Sequence, residues 1–346
     1  MPWQRILGHA EALDQIRSAH RKGRLGHAYL FVGPDGVGKK TFALELAKAM
    51  LCESPPELLS SCGQCASCSL VDAGTHPDLI QTRKPEDKLE FPIEVIRVLI
   101  GDLGMKPVRG KYRIAIVEDA DDFNEESANA FLKSLEEPAD NALLILIATS
   151  TDRQLPTILS RCQVLRFNAL SNADLRNALL AVEMKDPEDV KKKTPIPPEL
   201  IEKLLRLAGG SVGRALALSE GDVWNFRREF WNAFDTAKPD SVSLGRKLIE
   251  FAVGTTKDRE AAQKRSRAAI AVQLGVEMLQ TALRASVGTP PTNLEPTERS
   301  ALNKLQAIGT EKLLNRLESC LNADFAIDRR VNVEVLLEQF ADRLTR

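Results

Sequence analysis

The sequence predicts an α/β domain whose parallel sheet is covered by helices on both faces, then a small helical domain, then a helical C-terminal domain. Three observations carry this. The glycine loop GPDGVGKKT, Gly33 to Thr41, lies between an apolar run and a helical pattern. Apolar strands alternate with helices as far as Phe167, which is the pattern of a sheet buried on both faces. From Ser171 onward no strand candidate remains.

In chain order, HAYLFVGP at His27 to Pro34 is a buried strand entering the glycine turn. KTFALELAKAML then places Ala43, Leu46, Ala47 and Met50 on one helical face. A second strand, YRIAIVED at Tyr112 to Asp119, ends in acids. A helix from about Glu125 to Glu137 stops before Pro138 and leads into a third strand, NALLILIATS. The short strand CQVLRF closes the domain near Phe167. SNADLRNALLAVE opens on a Ser171 cap, and PPELIEKLLRLAGG begins with proline and stops at glycine. KDPEDVKKKTPIPP between them is a polar, proline-rich loop. The expected domains are residues 1–168, with a cysteine module at 52–68, then 169–222 and 223–346.

Composition narrows the partners. The 346 residues hold 47 Lys and Arg against 48 Asp and Glu, so no bulk attraction to nucleic acid or membrane is implied. The longest strongly apolar run, Ala142 to Ala148, is too short to span a bilayer. The N-terminal stretch has no apolar signal core, and the expected location is the cytoplasm.

Strand, glycine loop and helix form a phosphate cradle, with Gly33, Gly36 and Gly38 shaping it and Lys39 reaching terminal phosphates. The next position normally carries a hydroxyl for magnesium, and here it is Lys40. Thr41 has a hydroxyl, but one residue along a helix turns it by about 100°. Phosphate binding by ATP or ADP stays compatible with the loop, whereas Lys40 disfavours magnesium-dependent hydrolysis. At the acidic strand end, phosphate-loop ATPases place a metal-binding aspartate before a glutamate that activates water. Here the order is reversed, Glu118 then Asp119. Two arginines stand out: Arg161 in TILSRC, which by itself reads as a surface residue, and Arg214 at a helix start, where the dipole disfavours a cation.

Four of six cysteines, Cys52, Cys62, Cys65 and Cys68, fall close together, which favours metal over disulfides. Four thiolates suffice for a closed structural zinc site, Zn2+. An iron–sulfur cluster lacks the further spacing and proline of ferredoxins, and packed free thiols are the third reading. His76 in GTHPDL reads as a hydrogen-bonding residue, and Cys320 as packed within a helix.

Together GHAYLFVGPDGVGKKTFALELAKAMLC, the cysteines, GTHPDL, YRIAIVEDAD, NEESANAFLKSLEEPADNALLILIATS, LPTILSRC, GSVGRALAL and IDRRVNVEVLLEQFADRL resemble the clamp-loader family of AAA+ proteins of bacterial replication. That resemblance implies a P-loop AAA+ domain, a helical lid and an all-α collar that joins a hetero-pentamer. It implies that Arg161 is an arginine finger acting on a neighbouring subunit's ATP. It matches Thr149 or Ser150 to sensor 1 and Arg214 to sensor 2, and sets Gly8 in an adenine-side box where His9 replaces the commoner glutamine. Implied partners are gamma/tau and delta subunits, the sliding clamp and primed DNA. Lys40, Glu118 and Asp119 fit a subunit that does not hydrolyse ATP. The alternatives are an ATP-hydrolysing motor subunit and an AAA+ DNA-binding protein outside replication.

Overall fold

The computed structural model describes residues 3, 6–85, 88, 90–185, 193–236, 238–254, 261–289, 294–327 and 331–346. The chain forms two compact units that part between Leu216 and Ala217.

The first unit opens with α1 (Ala10–Arg21), β1 (Ala28–Val32), α2 (Lys39–Leu51), α3 (Ala66–Asp72), β2 (Leu79–Thr82) and α4 (Ile93–Leu103). It continues with β3 (Arg113–Val117), α5 (Glu125–Glu136), β4 (Ala142–Ala148), α6 (Pro156–Leu159) and β5 (Gln163–Arg166). β1 to β5 form one sheet in the order β2-β3-β4-β1-β5, with every pairing parallel. Successive side chains of a strand point to opposite faces, and the core divides accordingly. Tyr29, Phe31, Ile114, Ile116, Ile145 and Leu165 pack with Ile16 of α1 and Phe42 and Leu46 of α2. Leu30, Val32, Ala115, Val117, Leu144 and Leu146 pack on the other side with Ile96 and Leu99 of α4, Phe131 of α5 and Ile158 of α6. The predicted doubly covered parallel sheet is thus present, with β2 as an additional strand at its edge.

Beyond the sheet come α7 (Asn172–Leu180), β6 (Glu183–Lys185), β7 (Lys193–Pro195), α8 (Pro198–Leu207) and α9 (Val212–Ser219). β6 and β7 pair antiparallel, which corrects the expectation of no strand after Ser171. The hairpin is short and polar, so it carries no apolar alternation for a sequence reading to detect. Residues 186–192 of the expected polar loop lie outside the described residues.

The second unit holds α10 (Gly221–Ala233), α11 (Ser241–Val253), α12 (Ala261–Ser286), α13 (Pro296–Ala307), α14 (Thr310–Ile327) and α15 (Val333–Thr345). Leu244, Leu248, Leu279, Leu313, Leu337 and Phe340 line its interior. Arg227 of α10 is buried between Glu277 of α12, at 3.0 Å, and Glu298 of α13, closing a three-helix ion network. Cys320 is fully buried, as its helical setting predicts.

Candidate functional site

The glycine loop leaves the carboxyl end of β1 and enters α2, the geometry a phosphate cradle requires. Its glycines are needed sterically. A Cβ on Gly33 would lie 2.0 Å from the Phe167 carbonyl oxygen, and Gly36 and Gly38 hold φ of 71° and 107°, left-handed values that side chains disfavour. Lys39 is buried, and its ammonium donates to the carbonyls of Gly33 and, at 2.8 Å, Pro34. Burial pushes its pKa down, partly countered by Asp35 and Asp121.

Lys40 points elsewhere. Its Nζ sits 2.7 Å from Oε1 of Glu118 at the end of β3, so two of the three residues that depart from the ATPase pattern form an ion pair with each other. Thr41 is exposed on α2. Asp119 follows at φ 57° and ψ 36°, and burial, then the neighbouring charge of Asp122, pushes its carboxyl up. The acid that ties this strand end to its neighbour is Asp121. Its carboxylate accepts from the Thr149 N–H at 2.6 Å and the Gln154 Nε2 at 3.2 Å, bridging β3 to the end of β4. Nothing in the acidic run EDADD distinguishes Asp121 from its neighbours by sequence.

α9 meets the tip of the loop. Ser211 Oγ donates to the Asp35 carbonyl at 2.7 Å, and the Gly213 N–H donates to the Gly36 carbonyl at 3.0 Å. A Cβ on Gly213 would lie 2.9 Å from the Gly36 Cα, so neither glycine has room for a side chain. Arg214 follows directly on α9, its N–H bonded to Ser211 Oγ at 3.1 Å. From the other side, buried His9 bonds the Val37 carbonyl through Nε2 at 2.8 Å and packs edge-on against Phe167.

Arg161 lies apart from this cluster. β1 and β5 run parallel, with Tyr29 beside Gln163 and Val32 beside Arg166. The phosphate loop leaves at the carboxyl end, while Arg161 precedes β5 at the amino end. The length of β5 alone separates them by about 10 Å. The guanidinium is half-buried and is held by Glu136 Oε1, at 3.0 Å from Nε and 2.5 Å from Nη2, and by the Thr157 carbonyl at 3.2 Å.

The sulfurs of Cys52, Cys62, Cys65 and Cys68 all lie within 4.8 Å of one another, a donor set that can hold a metal ion. Backbone N–H groups of Cys62, Cys65 and Cys68 point at the sulfurs of Cys52, Cys62 and Cys65 at 3.3, 3.3 and 3.4 Å, which favours thiolates. His76 is not among these donors. Its Nε2 pairs with Ser67 Oγ at 3.2 Å, and Ser67 donates to Glu53 at 2.9 Å.

Asp78 anchors this region to the sheet. It is fully buried, and its carboxylate accepts from the N–H groups of Val108, Arg109 and Gly110 at 2.6, 2.8 and 3.0 Å, with Arg113 at 3.4 Å. Burial pushes its pKa up, but the three backbone bonds outweigh that and hold it below the ordinary value. Its stabilisation is therefore complete above the unfolded carboxyl value, near ~3.9, and is lost as pH falls toward the lower native value. Asp78→Asn should cost about 3 kcal/mol in denaturant unfolding at neutral pH, because it leaves Arg113 uncompensated and weakens three bonds. The gap from the native protein should narrow in acid; a gap that stays constant would remove the carboxylate's charge as the cause.

Residues 8–171 match the family described as DNA polymerase III, delta subunit. The chain is 37% identical to subunit delta' of DNA polymerase III from Pseudomonas aeruginosa, over 61% of this chain and 58% of that protein. It is 29% identical to the Escherichia coli delta' subunit, over 69% and 66%. It is 32% identical to the Escherichia coli tau subunit, over 62% and 32%. Each match therefore spans less than two thirds of the relative's own length.

Proposed function

We propose that this chain, whose residues 8–171 match that family model and which is 37% identical to a delta' subunit over 61% of its length, is an AAA+ clamp-loader protein, a delta'-like subunit of the DNA polymerase III clamp loader. In this reading it does not hydrolyse ATP itself. Arg161 serves the ATP site of a neighbouring gamma/tau motor subunit while the complex, with delta, loads the sliding clamp onto primed DNA. Domains 1–168, 169–222 and 223–346 act as AAA+ domain, lid and collar, and Arg214 and Thr149 keep sensor positions. The four-cysteine site holds a structural zinc ion, whose closed tetrahedral set leaves no open position for chemistry. The location is the cytoplasm, as for a subunit of a replication complex like those it resembles.

The observation that carries this reading is the placement of Arg161 at the end of the sheet opposite to its own loop. A guanidinium there cannot stabilise charge on a nucleotide in the same chain, but it can face another chain. The Lys40–Glu118 pair supports the loss of hydrolysis, since the metal position lacks its hydroxyl and its acid is already matched by a cation.

The test is ATP turnover by the purified chain with magnesium, and no turnover above background is expected. The 32% identity with a tau subunit keeps the motor reading in view. Turnover that Lys39→Ala abolishes would select that reading instead.

A further inference from the structure

We propose that Lys40 stands in for the magnesium ion at this loop, so that the site binds the polyphosphate chain of a nucleoside diphosphate without a divalent metal. The inference deepens the reading of a loop that does not turn over ATP, and it rests on that reading.

In metal-dependent phosphate loops the cation bridges three groups: the hydroxyl at the second helix position, the acid at the neighbouring strand end, and phosphate oxygens. Here the second helix position is Lys40, and its ammonium already contacts the strand-end acid, Glu118, at 2.7 Å. The positive charge is thus supplied covalently in the place of the missing ion. An ammonium carries three N–H donors and Glu118 accepts at one, which leaves donors for phosphate oxygens. The Lys40 side chain is half-exposed, so a ligand can reach it.

The residues do not fit magnesium itself. That ion requires octahedral oxygen ligands at about 2.0–2.1 Å, and an ammonium at its position both blocks and repels it. The glycine loop nevertheless keeps the backbone such a cradle uses: Gly36 and Gly38 are left-handed, and α2 opens directly after them on Lys39. Lys39 is tied to the loop's own carbonyls, so the more accessible of the two ammonium groups is that of Lys40. A nucleoside diphosphate then meets the Lys40 ammonium and a helix N-terminus, while Lys39 stays held by the loop carbonyls and 3.7 Å from Asp35.

The experiment is calorimetric titration of the full chain with ADP, and separately with inorganic tripolyphosphate, each in EDTA and in excess magnesium. The native chain should bind ADP in EDTA, and magnesium should change Kd less than about threefold, under ~1 kcal/mol. Lys40→Thr, which restores the hydroxyl, should weaken binding in EDTA about tenfold, and magnesium should recover it. Thermal unfolding confirms that the variant is folded. Binding of both probes assigns the affinity to the phosphate chain, and binding of ADP alone adds the nucleoside to it. The proposal is overturned if the native chain fails to bind ADP in EDTA, if magnesium tightens native binding threefold or more, or if Lys40→Thr behaves as the native chain. None of these outcomes alters the Arg161 role, which is read from clamp loading.

Discussion

Replacing Arg161 with alanine is expected to leave the chain folded and assembled while slowing ATP turnover at the neighbouring site by about a hundredfold or more. The magnitude follows from what an arginine finger contributes. It neutralises charge that spreads over the transferring phosphoryl oxygens, an effect worth about 10³–10⁵ in related phosphoryl-transfer sites. The small effect on folding follows from the setting of Arg161. Its partner Glu136 is more than half exposed, and such surface pairs contribute about 0–1 kcal/mol. The Thr157 carbonyl and Glu136 instead orient the guanidinium, limiting the freedom it loses on engaging a ligand. Arg161→Lys should recover only part of the rate, because an ammonium keeps the charge without the planar fork. The measurement is clamp-loading rate and ATP turnover by a reconstituted complex, with assembly followed by size-exclusion chromatography. An unchanged rate would remove the finger role, and loss of assembly would make Arg161 an interface residue instead.

Removing the metal should have the second large effect, and a local one. The four cysteines are joined by a segment with little apolar content of its own, so metal binding there is also folding free energy. Structural zinc contributes apparent values of about 10–16 kcal/mol in small zinc peptides, far more than the packing available to residues 52–68. Elemental analysis should find about one zinc per chain. Cys65→Ser with Cys68→Ser should abolish the metal and expose Leu59 and Val71, the two buried residues that connect the module to the sheet-face core. Hydrogen exchange should then rise across the cysteine module and α3 while β1, β3 and β4 remain protected, because their opposite face packs independently of the module. The Trp3 indole, which donates to the Leu59 carbonyl at 2.7 Å, offers a fluorescence reporter of the same event. Zinc-free protein with native exchange across the module would return the cysteines to simple packing.

The elements legible in the sequence are those whose apolar pattern is long or continuous. AYLFV, RIAIV and ALLILIA are almost entirely buried because both sheet faces are covered, and that leaves an uninterrupted apolar run. β2, LIQT, has only its first residue fully buried, so no comparable run marks it. The β6–β7 hairpin is invisible for the same reason. In the candidate site, the glycines and Lys39 are legible because their spacing is local. The four cysteines are legible because they lie within a short stretch. His76 reads correctly as a hydrogen-bonding residue, and the structure adds its partner, Ser67.

From the residues alone comes the chemistry at each position: a phosphate-loop pattern with Lys40 where a hydroxyl belongs, reversed acids at Glu118 and Asp119, a four-cysteine cluster, and an arginine in TILSRC. How those positions combine is a matter of tertiary structure. Residues 40 and 118 are distant in the chain, and only the parallel order β3-β4-β1 brings their charges together. The same topology puts Arg161 at the amino end of β5 and the glycine loop at the carboxyl end of β1. Strand direction is a property of the assembled sheet and is not written in any local run of residues.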